Sequence, residues 1–344
     1  MKKLLLVMIA AALVLLSACG NGGKDTVRDI HTEVQLNYLN DAYTSVTKYA
    51  KGTEELSVPK PVELKFKGVS APFTVYVSEN EDMSGAREYA SDTETAEIYN
   101  LKTGTKYYCY AASGDKKTKV TAFETADTLP RNLYIDGVTN VRDVGGWKTA
   151  SGQRVKQGVA FRSGKFNADD SADKVITDKG LEAIRELGIK TEIDLRTTED
   201  GESGNITGSP LGSDVRYVSI PLNSGGNIIL LNKDSLKDLF AVLGQEENYP
   251  LVFHCSIGTD RTGMVAFLIN GLLGVSGEDL FRDFLFSNFG NIGSMRTQSI
   301  IQTYMDTVDL AGGKTLSEKI ENYLISVGVA AEDIAAVRRI MTEQ

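Results

Sequence analysis

The chain has 344 residues, 42% of them apolar and 24% charged, which supplies a folded core and excludes an intrinsically disordered chain. That length exceeds one ordinary domain, so two domains are expected. Forty-six acidic against 37 basic side chains give a net charge of −9, which argues against nucleic acid or an anionic membrane surface as a general partner while leaving local patches open.

At the N-terminus, Met1-Lys2-Lys3 is basic and Leu4 to Leu16 is an unbroken apolar run of 13 residues, too short for a comfortable membrane span. Leu16-Ser17-Ala18-Cys19 follows, then Gly20-Asn21-Gly22-Gly23. These residues resemble the lipobox of bacterial lipoproteins. The resemblance implies that residues 1–18 are a removed signal peptide, that Cys19 carries lipid on its sulfur, and that the mature protein is membrane-anchored outside the cytoplasm. An ordinary signal peptide is the alternative. With Cys19 lipidated, Cys109 and Cys255 remain, and both are expected free, Cys109 as a small core residue of a strand.

Residues 19–57 are polar and weakly periodic. They read as a tether and partly ordered spacer, with His31 solvated and Asp41 to Tyr49 as a candidate short helix. From 58 to 126 short alternating runs recur, among them Phe73-Thr-Val-Tyr-Val-Ser78 and Lys106-Tyr-Tyr-Cys-Tyr-Ala111. Separated by Gly, Asn and Asp, they predict a small all-β sandwich. Within it, Leu101-Lys-Thr-Gly-Thr-Lys-Tyr107 resembles the leucine-turn-tyrosine corner of fibronectin type III domains. Asp127 to Asn132, with Pro130, reads as a linker.

From residue 130 to 344 the pattern turns to α/β. Strands are predicted at 159–163, 189–195, 215–220 and 251–253. Helices are predicted at 177–187, capped by Thr177 and closed by Gly188, and at 234–243, 262–273, 277–287, 295–308, 316–327 and 331–342. Strands alternating with helices imply a mostly parallel central sheet flanked by helices.

The chemistry concentrates in His254-Cys-Ser-Ile-Gly-Thr-Asp-Arg-Thr-Gly263, between a buried strand and a helix start. Free amides and the helix dipole make such a place an anion site. Cys255 is the candidate nucleophile, because amides and a nearby arginine favour its thiolate. Arg261 can hold two oxygens of a phosphoryl group at once. The backbone from Ser256 through Ile257, Gly258 and Thr259 can take the rest, with Gly258 free to adopt positive φ. Thr262 offers its hydroxyl to the sulfur as a leaving group, or caps the helix. His254 is expected to order the loop.

This decamer resembles the Cys-five residues-Arg-Thr signature of cysteine-dependent protein tyrosine and dual-specificity phosphatases. Asn140-Val-Arg-Asp-Val-Gly-Gly146, Phe161-Arg-Ser-Gly164, Asp194-Leu-Arg196 with Glu199, and Asp283-Phe-Leu-Phe-Ser-Asn288 look like further blocks of the LipA-type bacterial tyrosine phosphatases. The resemblance covers about residues 130–344. It implies a cysteine-phosphatase fold, a phosphocysteine intermediate, and a phosphorylated protein, phospholipid or small phosphoester as substrate. No metal and no other cofactor is expected; two histidines in the whole chain speak against a metal-dependent phosphatase.

Many tyrosine phosphatases take their general acid from a Trp-Pro-Asp loop, but the single tryptophan, Trp147, is followed by Lys148. In the branch resembled, the acid is an aspartate beside the loop arginine, here Asp260. Asp194 competes for the role, or it orients Arg196, with which it is counted among the substrate-binding residues. The branch often has lysine where this chain has Thr259, which tilts substrate choice towards phosphotyrosine over phosphoinositide. Arg142 and Asp143 read as a local pair, and Arg162 as either phosphate-facing or on the surface. A surface protein that only captures phosphorylated ligands is the competing class; the intact Cys255/Arg261 pair speaks against it.

Overall fold

The computed structural model describes residues 26–41, 46–167, 175–197 and 208–343. Residues 1–18, Cys19 and Glu199 lie outside the described residues. Along the chain come strand β1 (Thr26–Arg28), helix α1 (Glu33–Leu39) and strands β2 (Val62–Leu64), β3 (Phe73–Ser78), β4 (Arg87–Ser91), β5 (Ala96–Ile98), β6 (Lys106–Ser113), β7 (Lys116–Lys117), β8 (Thr121–Thr125), β9 (Arg142–Asp143) and β10 (Ala160–Ser163). Helix α2 (Asp178–Leu187), strands β11 (Thr191–Asp194) and β12 (Arg216–Ser219), helices α3 (Ile228–Leu231) and α4 (Lys233–Leu243), and strand β13 (Leu251–His254) follow. Helices α5 (Asp260–Leu272), α6 (Gly277–Phe286), α7 (Gln298–Asp309), α8 (Leu316–Ser326) and α9 (Ala331–Met341) complete the chain.

Val62–Ile98 and Lys106–Glu124 form one compact unit, all β. β3 pairs antiparallel with β4 on one side and β6 on the other, and β6 pairs with β8; β2 and β5 make a second antiparallel sheet. In β3, Phe73, Val75 and Val77 are buried while Thr74 and Tyr76 are half-buried, the period of two expected of a strand with one face on a core. β4 carries little apolar alternation, so the sequence did not mark it; its place is set by pairing with β3 from Phe73↔Ser91 to Val77↔Arg87. Cys109 is fully buried here, its thiol sulfur 3.5 Å from the Thr121 hydroxyl.

The other unit comprises Val27–Pro61, Tyr99–Thr105 and the chain from Thr125 on. Its sheet runs β12-β11-β13-β10-β9. The first four strands are parallel and β9 is antiparallel to β10. Successive side chains of β13 go to opposite faces. Leu251 and Phe253 join the core shared with α5, and Val252 joins Phe161 with Ile184 and Leu187 of α2. A strand buried on both faces needs apolar residues throughout, which is why Leu251-Val-Phe253 stands out in the sequence. α5 is likewise buried on every side from Arg261 to Leu272. The Thr177 side chain caps α2 through the Gly180 amide, and Gly188 ends it in the left-handed conformation at φ 67°, as read from the sequence.

The N-terminal segment departs from its reading as a spacer. α1 is a helix with a capping box in which Thr32 and Gln35 satisfy each other's backbone amides. Tyr38, Leu39, Val46 and Ala50 join the same core as α5. His31 is not solvated: it is 1% exposed, bonded through Nε2 to the Pro130 carbonyl at 2.8 Å, and burial lowers its pKa. The one local signal is Thr32-x-x-Gln35, and the alternation of Val34, Leu36 and Tyr38 with polar residues masks it, because that is a strand's period and not a helix's. The expected linker at 127–132 is also built in. Asp127 pairs with Arg154, and Arg131 is 3% exposed with its guanidinium on Asp143 at 2.6 Å.

Candidate active site

β13 delivers the candidate loop and α5 receives it, so Cys255 follows the C-terminal end of a central parallel strand, where ligands bind in open α/β sheets. The loop's carbonyls are held from outside. Asn140 Nδ2 donates to the carbonyls of Ile257 at 3.1 Å and Gly258 at 3.0 Å and to Thr259 Oγ1 at 3.1 Å. Arg162 Nη2 reaches the Gly258 carbonyl at 3.0 Å, and the Lys165 amide the Ser256 carbonyl at 3.3 Å. In a planar trans peptide the carbonyl and the next amide point to opposite sides. Pinning these carbonyls therefore turns the amides of Ile257, Gly258 and Thr259 the other way, and the Ile257 amide faces the Cys255 sulfur. Gly258 adopts φ 69°, and a Cβ there would lie 2.5 Å from the Ser163 backbone, so only glycine fits.

Cys255 is 1% exposed and free. Burial by itself pushes its thiol up, but the Arg261 charge, the Thr262 hydroxyl and the amides of Thr262 and Ile257 outweigh it, and the net pKa is lowered. The Thr262 hydroxyl is buried and meets no other polar partner among the described residues. Thr259, not Thr262, stands at the cap position of α5. Arg261 Nη2 lies 3.4 Å from Ser256 Oγ and Nη1 3.4 Å from the Leu222 carbonyl.

Beneath the loop runs a buried chain of charges. His254 Nε2 meets Glu192 at 2.9 Å and Nδ1 lies 4.0 Å from Asp194. Burial pulls His254 down, yet the two carboxylates leave its pKa raised. Here the structure departs from the expectation that Asp194 and Arg196 contact substrate. Both are buried and gripped by one another, with Arg196 Nη2 on Asp194 Oδ2 at 2.6 Å and Nε on Oδ1 at 2.9 Å, and Tyr217 donating to Oδ2 at 2.9 Å. Burial pushes Asp194 up, but His254 and Arg196 hold its pKa low, and at 0% exposure its carboxyl is closed off from a leaving group, unlike a carboxyl at the rim. Glu192 escaped the sequence reading, because nothing in Thr191-Glu-Ile-Asp194 says which carboxylate lies under the histidine.

Arg142 and Asp143 do not pair with one another, since neighbours on a strand point to opposite faces. Arg142 Nε binds Asp283 at 3.0 Å, and Asp143 takes Arg131. Arg162 is not on the surface: it is 1% exposed, meets Asp283 at 2.5 Å, and feels the charge of Cys255. Burial and repulsion from Arg142 bring its pKa down to about 10. Asp283 thus carries two buried arginines, one of which fastens the loop.

Thr259 is fully buried with its hydroxyl on Asn140, so its side chain does not face a substrate, and the charge argument drawn from it weakens. Asp260 is at the rim, its side chain 29% exposed, with both oxygens taken by Arg296 at 2.7 and 2.8 Å. Arg296, 36 residues on, had no sequence signal. Among the described residues no group of three or more His, Cys, Asp or Glu side chains is arranged to hold a metal ion. A buried low-pKa thiol, a guanidinium and converging amides can bind an anion and attack it.

A family model described as the tyrosine phosphatase family matches residues 133–343. A candidate tyrosine-protein phosphatase of Cupriavidus necator is 29% identical over 186 residues, covering 46% of this chain and 64% of that protein. A tyrosine-protein phosphatase of Nostoc commune is 28% identical over 134 residues, covering 33% of this chain and 45% of that protein. The matches thus span less than two thirds of these relatives. Among solved structures, the core catalytic domain of the PP-IP phosphatase SIW14 of S. cerevisiae aligns at TM-score 0.30 and 17% identity, covering 44% of this chain and 84% of that one. P. aeruginosa TpbA aligns at TM-score 0.30 and 15% identity, covering 53% and 96%. With the family model spanning the whole loop-bearing region, the chain belongs to the tyrosine phosphatase family.

Proposed function

We propose that the protein is an exported, lipid-anchored phosphatase that hydrolyses phosphate monoesters, phosphotyrosine foremost, through a phosphocysteine. The observation that carries this reading is the Cys255 thiol, buried yet lowered in pKa by Arg261, Thr262 and the loop amides. The Cys255 thiolate attacks phosphorus, and the ester P–O bond breaks while Asp260 gives its proton to the leaving oxygen. Water then attacks phosphorus, Asp260 takes its proton, and the S–P bond breaks to release phosphate and the thiolate, which the Thr262 hydroxyl stabilises. The phosphotyrosine preference is supported by the names of the curated relatives. A phosphoinositide is the alternative substrate. Anchoring is supported by the run from Met1 to Gly23, with the lipid on Cys19. The all-β unit is a spacer or adhesion module; of the fibronectin type III-like stretch Leu101–Tyr107 only Lys106 and Tyr107 belong to it.

Residues 20–344 should hydrolyse para-nitrophenyl phosphate in EDTA, and Cys255→Ser should abolish turnover. Activity surviving in the mutant, or lost on chelation, would sink the mechanism. A phosphotyrosyl peptide assayed beside phosphoinositide vesicles decides the substrate class. Cys19→Ala should release the protein from the membrane fraction.

A further inference from the structure

Arg296 is held far more firmly than a surface arginine needs to be. Its Nε and Nη2 meet the two oxygens of Asp260 side-on at 2.7 and 2.8 Å. Its Nη1 is spent on the Ser294 carbonyl at 3.0 Å and hydroxyl at 2.8 Å. Its own amide donates to Asn288 Oδ1 at 2.7 Å, and its carbonyl accepts from Asn288 Nδ2 at 3.0 Å. Asn288 is buried and tied in turn to the Leu285 carbonyl at 2.8 Å, while its own carbonyl takes the Gly52 amide at 2.8 Å.

An exposed ion pair gains little, chiefly because two mobile side chains must be frozen to make it. Here the fold has already frozen the arginine, and the fork fixes the plane of the carboxylate it holds. Asp260 opens α5 beside Arg261, partly exposed, where a lone carboxylate would move among rotamers. Each of its oxygens keeps a second lone pair beyond the one facing Arg296, and the proton that the carboxyl donates and later regains sits on one of these, since the fork itself occupies the other side. We infer that Arg296 is the positioning residue of Asp260: it selects the one orientation from which that carboxyl serves as general acid. The inference rests on the reading of Asp260 as the acid. Arg296 touches no reacting atom in this role and acts only through Asp260.

The test is leaving-group dependence in the full mature chain, comparing phenyl phosphate, whose phenolate leaves poorly, with para-nitrophenyl phosphate, whose phenolate leaves well. Arg296→Gln should lower kcat on phenyl phosphate by roughly 10- to 100-fold and on the nitrophenyl ester by about twofold or less. Arg296→Lys, which keeps one point of contact, should fall between. The double variant with Asp260→Asn should be no worse than Asp260→Asn alone. If Asp260→Asn is selective for the poor leaving group and Arg296→Gln hits both esters equally, or neither, the positioning role is overturned while the acid stands. If Asp260→Asn itself shows no selectivity, the acid assignment fails and the inference goes with it. A thermal melt of each variant separates lost positioning from lost folding: if Arg296→Gln melts together with a loss on both esters, Arg296 is a loop staple and the inference is wrong.

Discussion

The Asn140 side chain donates to the Gly258 carbonyl at 3.0 Å across 118 residues of sequence. With its bond to the Ile257 carbonyl, this one amide group sets which way two loop peptides face, and it also holds the Thr259 hydroxyl. Asn140 itself sits at φ 59°, a conformation asparagine tolerates better than most residues.

Asn140→Asp keeps the shape and the backbone preference but removes both N–H donors and aims a carboxylate at the two carbonyls. The cost is about 1–3 kcal/mol of loop order, so inorganic phosphate should inhibit roughly tenfold more weakly. Competitive inhibition by phosphate measures it; an unchanged constant in a folded variant would mean the loop holds itself.

Stability should depend on pH through His254, whose pKa the carboxylates of Asp194 and Glu192 hold above the usual 6.5 against the opposing pull of burial. A raised histidine pKa stabilises fully below the unfolded-state value, and that contribution is lost as pH rises through the folded-state value. The melting temperature should therefore decline from about pH 6.5 upwards. Glu192→Gln removes one of the two carboxylates and should flatten the decline. Parallel slopes in melts from acid to alkaline buffer would show that His254 is not the group responsible.

Tyr38 tests whether the N-terminal segment belongs to the phosphatase unit. Its ring is 1% exposed, 5.4 Å from Phe289 and 6.4 Å from Phe286, and its hydroxyl reaches the Arg282 carbonyl at 3.3 Å. Tyr38→Ala should cost about 3–5 kcal/mol, as for other large buried rings. That corresponds to a melting temperature lower by roughly 10 °C. A spacer residue would change neither, so an unaltered melt refutes this placement.

How far the sequence carried depends on where each signal lies. Helices α2 and α4 to α9 and the parallel strands follow from apolar periodicity, caps and glycines, which are local. The loop was equally legible, because Cys255, Gly258, Arg261 and Thr262 are neighbours whose types already state an anion site. β4, lacking alternation, and α1, lacking an apolar stripe long enough to count, were not.

What the sequence determined by itself is the fold class and the chemistry of one contiguous stretch, since backbone preference and residue spacing act over a few positions. Tertiary structure decided the partners: Asn140 and Arg162 on the loop carbonyls, Glu192 under His254, Asp283 between Arg142 and Arg162, and Arg296 on Asp260. These are bonds between a charge or amide and whichever group the chain brings beside it after folding. Ion pairs and side-chain hydrogen bonds carry no sequence period, so only the packed sheet and helices reveal which arginine meets which carboxylate.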